Sequence, residues 1–345
     1  EREVTGELVA LAGYRFDLSS EIPIRAQIYS VGPEQHVVGI VVHHIAFDGW
    51  SLAPMFRDVA EAYRSRRAGR TPSWPGLAVQ YADYTLWQRD WLGDESDPDS
   101  VIAAQLAYWR EELAELPEVV SLPTDRVRPP VPSYRGDQVE VRIDPQLWAG
   151  IKALAAAHNA TASMVLQAAL AVVLHRAGAG EDIAMGTPIA GRLDEALDDL
   201  VGFFVNTWVL RVGVNAAQRF SDVLAAVRHK ALAAYNSQDV PFERLVEQLN
   251  PVRSTAHHPL FQVGMAFMSN VRPEVALDGV DVEPLGVSTQ TSKFDLDFNL
   301  GEVLAEEAGA PMATGVVLYA TDLFDRASIE RLVGWFGRVI EAVVT

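Results

Sequence analysis

The stretch VVGIVVHHIAFDGWSLAPMFRDVAEAY, Val37 to Tyr63, decides how the chain is read. It opens on a β-branched run, Val37 to Val42, bounded by polar residues, and this predicts a buried strand. Leu52, Met55, Phe56, Val59, Ala60 and Tyr63 then recur at helical spacing, with Ser51 as N-cap and Gly69 as stop. His43, His44, Asp48 and Gly49 fall on the loop between strand and helix, a common place for side chains that do chemistry.

Three readings of that loop compete. An imidazole there can serve the backbone and nothing else. His44 and Asp48 can be metal ligands, but a catalytic zinc site needs about three protein ligands and no third is evident. The pair His257 and His258 meets the same objection. The third reading is acid–base or orienting chemistry by one imidazole, whose ordinary pKa suits proton handling near neutrality. Adjacent residues of a strand point to opposite faces, so only one of the two histidines can face such a site. Asp48 then fixes the loop through an ion pair, and Gly49 permits backbone geometry or a close approach that a side chain forbids.

Outward from the loop, Tyr81 to Trp91 and Gln105 to Leu113 read as aromatic-rich helices. The segment PTDRVRPPVPS, Pro123 to Ser133, is too rich in proline for a helix or sheet interior, and the subdomain boundary is placed there. This gives an N-terminal piece, 1–125, and a C-terminal piece, 126–345. In the second, helices are predicted at Gln146 to His158, Ala162 to Arg176, Ser221 to Tyr235, Phe242 to Leu249 and Ala327 to Val344. Strands are predicted at Asp182 to Ile189, Phe203 to Val212, Pro259 to Met268, Phe294 to Leu300 and Thr314 to Tyr319. The class is α/β (α+β), in two unequal pieces.

Composition narrows the function. Against 28 Lys and Arg stand 46 carboxylates, a formal net charge of −18, and a field of that sign disfavours nucleic acid and anionic membrane surfaces. With no cysteine, disulfides, thiolate metal sites and a cysteine nucleophile are all excluded, so any thioester sulfur must arrive on another protein. The first residues lack the pattern of a signal peptide. The most apolar stretch, Met164 to Leu174, is short of the roughly 20 residues of a membrane span. A cytoplasmic protein is expected. No GxSxG elbow, P-loop or GxGxxG is present.

His43-His44-Ile45-Ala46-Phe47-Asp48-Gly49 resembles the HHxxxDG motif of the condensation-domain superfamily of nonribosomal peptide synthetases. Around it RFDLSSEIPIRA (Arg15 to Ala26), VQYADYTLWQ (Val79 to Gln88), QLAYWREEL (Gln105 to Leu113) and GTPIAGR (Gly186 to Arg192) are similar to further family motifs. So are VGFFVNTWVLR (Val201 to Arg211), QDVPFERLVEQLNPVRS (Gln238 to Ser254) and HPLFQV (His258 to Val263), in the family's order. The family's opening motifs are missing, which reads as an N-terminally incomplete domain.

The resemblance implies two chloramphenicol-acetyltransferase-like subdomains forming a pseudo-dimer around a central tunnel. Upstream donor and downstream acceptor carrier domains would each deliver a substrate on a phosphopantetheine arm, and the acceptor amine would attack the donor thioester. It implies no cofactor or metal bound by the domain itself, and neighbouring adenylation and epimerisation domains. His44 is by this carry-over the catalytic residue, acting by positioning first and proton acceptance second. His43, Asp48 and Gly49 support it, and Arg192 is the candidate partner of Asp48. Ala46, Phe47, Trp50 and Asn206 are candidate tunnel-lining residues, although Asn206 is read equally as satisfying a strand irregularity. The wording around the motif resembles the subtype that joins a D-configured donor to an L-configured acceptor. An epimerisation domain shares HHxxxDG, and a non-catalytic recruiting module of a synthetase is the alternative of another class. Modules of that kind usually lose the second histidine, which is intact here. A cyclisation domain would carry aspartates in place of the histidines.

Overall fold

A computed structural model describes residues 2–251, 254–268, 275–305 and 309–345. Two units emerge, and the first is discontinuous in sequence: Glu1–Trp91, Ala190–Val205 and Arg272–Thr289. In it, helix α1 (Arg2–Ala12) lays Leu8 and Leu11 across Gly39 of strand β2 (His36–Val42), which pairs antiparallel with β1 (Ile24–Ser30). The expected buried strand is therefore a strand but not a buried one. Gly39 alone in it is fully buried, while Val38 and Ile40 are exposed. The reason lies in the pairing. Among the described residues the sheet has two strands, and the register puts Ile24, Ala26 and Ile28 opposite Val42, Ile40 and Val38 on the face that α1 leaves open. Two single 3-10 turns, His44–Ala46 and Gly49–Ser51, lead into α2 (Leu52–Arg67), beyond which Gly69 takes a φ of +68°. Helix α3 (Tyr81–Leu92) follows.

The second unit holds Leu92–Ile189, Asn206–Val271 and Gln290–Thr345. Its helices are α4 (Val101–Glu112), α5 (Pro145–Ala157), α6 (Ala162–Leu174), α7 (Phe220–Tyr235), α8 (Phe242–Leu249) and α9 (Arg326–Val344). Its strands are β3 (Gly136–Ile143), β4 (Asp182–Ile189), β5 (Asn206–Gly213), β6 (Val263–Met268), β7 (Leu296–Ala305) and β8 (Ala310–Ala320), ordered β3-β8-β7-β6-β4-β5. The β4–β6 and β6–β7 pairs run parallel and the others antiparallel. Alternation decides the inward face: Val139, Val141 and Ile143 of β3, and Leu296, Phe298 and Leu300 of β7, enter the core. Helix α5 lies against β8, α7 against β5 and α9 against β3, with α6 packed among them. Helix α6 is apolar all round because nearly all of it is buried. By length and composition Ala162–Ala179 could cross a membrane, but 61% of that run is buried inside the protein.

The proline-rich segment expected to divide the chain at 125/126 lies inside the second unit, which begins at Leu92. Helix α4 explains the difference. It buries Leu106 and Trp109 in the second core, and the Trp109 indole donates to the Ser237 carbonyl at 2.7 Å. Gln105 of the same helix donates to Asp239 at 2.8 Å. Helix α6 also stops earlier than the predicted Arg176, giving way to a π-type turn, His175–Ala179, in which Gly178 has a φ of +101°. Val252 and Arg253 of the Gln238 to Ser254 motif lie outside the described residues.

Gly186 in β4 shows how tightly this core is filled. The Phe261 ring lies where a Cβ at 186 would stand. Gly186→Ala is expected to destabilise the fold by about 1–3 kcal/mol, the usual cost of overpacking. Thermal denaturation checks it, and an unchanged melting temperature would mean that Phe261 steps aside freely.

Candidate functional site

The motif loop is built by short-range hydrogen bonds. The His43 N–H donates to the Pro23 carbonyl at 2.9 Å and ties the end of β2 to the start of β1. The His43 ring then caps the first 3-10 turn: its Nδ1 accepts the Ile45 N–H at 3.1 Å. In His44, Nδ1 lies 3.0 Å from the Phe47 carbonyl. A carbonyl can only accept, so Nδ1 of His44 carries the proton, and in the neutral ring Nε2 keeps its lone pair. The two neighbouring imidazoles are thus held as opposite tautomers. His43 is half-buried, with Phe16 edge-on at 6.0 Å between ring centroids. His44 is exposed, with the Phe203 ring edge-on at 6.0 Å.

Asp48 is 1% exposed and its carboxylate is fully engaged. Oδ1 accepts from the Ser51 N–H and the Ser51 hydroxyl, each at 2.9 Å, and from Arg192 Nη2 at 3.2 Å. Oδ2 accepts the Phe204 N–H at 3.0 Å. Arg192, also buried, sends Nη1 to the carbonyls of Leu197 and Leu200 and Nη2 to Asp48 and the Ser51 oxygen. Its Nε has no hydrogen-bond partner among the described residues, but the guanidinium stands 4.1 Å over the Phe204 ring, which favours a cation on its face. Gly191, just before Arg192, has a φ of +67°, and the Phe204 carbonyl fills the space of a Cβ. A side chain at 191 would displace the residues that cover Asp48.

Asp48 and Arg192 are therefore brought together. Gly49 opens the second 3-10 turn and is not among the residues with positive φ, so its turn makes no special conformational demand. Ala46, Phe47 and Trp50, on the same loop, are half-buried. Asn206 lies in the other unit, at the first position of β5, and its amide is spent on backbone. It donates to the carbonyls of Gln238 and Val240, both at 2.7 Å, and accepts the N–H groups of Thr207 at 2.8 Å and Phe242 at 3.1 Å. Its observed work is to join β5 to the start of α8. Among the described residues, no three His, Cys, Asp or Glu side chains converge as a metal cluster. His257 lies 3.3 Å from Glu118, and burial among Phe242, Phe261 and Phe294 pushes the His258 pKa down. Ser51, Gly202 and Phe203 were not singled out from sequence as site residues. The one signal for Ser51 was its place three residues after Asp48, the spacing of a capping pair.

The condensation-domain family matches residues 7–345. The chain is 54% identical over 341 residues to a Salinispora arenicola protein named "Probable non-canonical nonribosomal peptide synthetase (NRPS) CymA", which covers 99% of this chain and 4% of that protein. It is 46% identical over 342 residues to the dimodular nonribosomal peptide synthase of Bacillus subtilis, covering 99% and 14%. The chain thus spans a small fraction of the curated relatives that it matches. Among solved structures, the X-domain from teicoplanin biosynthesis is similar at 34% identity with a TM-score of 0.90, over 100% of this chain and 77% of that one. The X-domain is also solved as a complex with OxyB.

Losing Asp48 would leave Arg192 buried without its counter-ion, and breaking such a pair costs about 3–5 kcal/mol. Asp48→Ala should therefore melt far below the wild type, whereas His44→Ala, altered at an exposed ring, should melt close to it. Parallel thermal melts of both variants check this. An Asp48→Ala protein as stable as the wild type would contradict the anchoring role.

Proposed function

The chain belongs to the condensation-domain family of nonribosomal peptide synthetases, and from that premise we propose that it joins two carrier-bound acyl groups through an amide bond, with His44 at the reacting atoms. One observation carries the assignment of His44. Its Nδ1–H is committed to Phe47, which leaves Nε2 with the free lone pair on an exposed residue.

In the proposed reaction the acceptor's amine attacks the donor thioester carbonyl. The C–N bond forms, and the nitrogen of the adduct is cationic. Nε2 of His44 takes a proton from that nitrogen, and the C–S bond then breaks. The proton passes to the departing thiolate, giving the amide on the acceptor arm and a free thiol on the donor arm. A neutral amine already attacks thioesters, so holding amine and carbonyl together is the larger contribution, on the order of 7–11 kcal/mol at best. His43 and Asp48 shape the loop that carries His44.

The partners proposed are an upstream donor and a downstream acceptor carrier domain, with adenylation and epimerisation domains as neighbours and the cytoplasm as the compartment. The phosphopantetheine arms belong to the carriers, which is in keeping with a chain that has no cysteine. A second reading, a non-catalytic recruiting module, draws support from the likeness to the X-domain and its complex with OxyB. The intact second histidine favours catalysis. His44→Ala is expected to form no dipeptidyl product from loaded donor and acceptor carriers, followed by mass spectrometry. Wild-type-like turnover by that variant would defeat the assignment.

For stereochemistry we propose a D-configured donor and an L-configured acceptor. Inverting the donor's Cα turns a substituent against a different wall near Ala46 and Phe47, and a clash of a few kcal/mol gives large discrimination. With a fixed L-aminoacyl acceptor, carriers loaded with D-terminated donors should outpace those with L-terminated donors. The reverse preference would refute the subtype and leave the amide-forming role standing.

A further inference from the structure

The buried hydroxyl of Ser51 lies at the point where the motif loop meets the 190–205 segment, and none of it is exposed. Its oxygen accepts the Gly202 N–H at 3.0 Å and Arg192 Nη2 at 3.1 Å. Its own proton has two acceptors, the Gly202 carbonyl and Asp48 Oδ1, each at 2.9 Å. Ser51 thus grips the N–H and the C=O of one residue, Gly202. Two positions on, the Phe204 N–H is held by Asp48 Oδ2 at 3.0 Å, and between them the Phe203 carbonyl accepts the Tyr81 hydroxyl at 2.6 Å. The backbone on both sides of Phe203 is fixed, and its ring is directed edge-on against the His44 imidazole, centroids 6.0 Å apart at 69°.

We propose that Ser51 is a positioning residue for His44, acting through Gly202 and Phe203. The inference rests on the reading of His44 as the reacting imidazole and adds a control on its orientation from outside the HHxxxDG stretch. The Nδ1–Phe47 contact fixes one edge of the His44 ring. A single hydrogen bond still lets the ring swing about it, and the Phe203 edge limits that swing. Without the Ser51 hydroxyl, the Gly202 N–H and C=O lose their partner inside a buried site, the 202–204 stretch relaxes, and the Phe203 ring leaves its place. A misplacement of about 1 Å at a reacting group can cost up to about a hundredfold in rate.

The test reads the imidazole directly. Full-length chain labelled with 13C and 15N in histidine is compared as wild type, Ser51→Ala, Phe203→Leu and the double variant, with the His44 signals assigned by their loss in His44→Gln. Ser51→Ala should shift and broaden the His44 ring signals while leaving those of His175 and His229 in place, and it should do so much less on the Phe203→Leu background. Turnover with loaded carriers should fall about tenfold in Ser51→Ala with KM unchanged, and by under about twofold when Phe203 is already Leu, the non-additivity expected of residues acting in series. Ser51→Thr, which keeps the hydroxyl, should restore the signals. His44 signals identical in wild type and Ser51→Ala overturn the proposal, as does an equal Ser51→Ala effect in both backgrounds. If Ser51→Ala does not fold, Phe203→Leu alone decides, because unshifted His44 signals in it break the chain of contacts. The imidazole signals need no substrate, so a wild type that forms no amide would count against the proposed function and leave this result intact.

Discussion

A single buried ion pair organises the site. Asp48 and Arg192 lie 144 residues apart, and each is almost fully withdrawn from water. Two charges pay a large desolvation cost in such a place, and their attraction offsets it only when the remaining lone pairs and protons are also satisfied. That condition explains the crowd around them. Ser51, Phe204, Leu197 and Leu200 each contribute a backbone or hydroxyl group, and the Phe204 ring faces the cation. Taking any one of these away leaves a charged group short of a partner, so the motif loop and the 190–205 segment are held as one piece.

With the loop so fixed, the chemistry reduces to what two adjacent rings are made to do. One imidazole uses its unprotonated nitrogen to hold a turn, and the next commits its protonated nitrogen to a carbonyl and keeps the other nitrogen's lone pair. The loop thereby holds residues of the same type as different tautomers, and backbone partners make the choice. Asp48 has no contact with either ring among its hydrogen bonds, so its influence on His44 is exerted through the backbone that they share.

Much of this was legible in the residues. β4 and α8 occupy the predicted spans, because an apolar run bounded by polar residues and a proline at the helix start are local signals. The loop site was legible for the same reason, since strand, turn and helix follow one another without interruption from Val37 to Tyr63. α1, β1 and β3 went unread, although Val139, Val141 and Ile143 alternate as a half-buried strand should. The exposure of β2 could not be read from its own residues, because a β-branched run looks the same whether one face or two are covered. The compact units divide the chain elsewhere for a related reason. Proline marks where backbone is irregular, but Trp109 and Ser237 decide which core a segment joins, and that pairing is long-range. Ser51 stands at the N-cap of α2 as expected, but its hydroxyl makes no capping bond there and turns to Gly202, a partner that the sequence hides.

The first unit is assembled from three separated stretches, and this sets an order of events as the chain is made. When Val42 to Ser51 leave the ribosome, Ser51 is the one partner of Asp48 already made, and the rest of its carboxylate must stay hydrated until Arg192 and Phe204 follow. Closing a loop of that length adds an entropic cost that grows only slowly with length, but the contact is still late and non-local, the kind that slows folding. The tie between the motif loop and the 190–205 segment is therefore late to form. A fragment ending at Trp91 would carry every residue of HHxxxDG and still lack Arg192 and Phe204, the distant groups that anchor its aspartate.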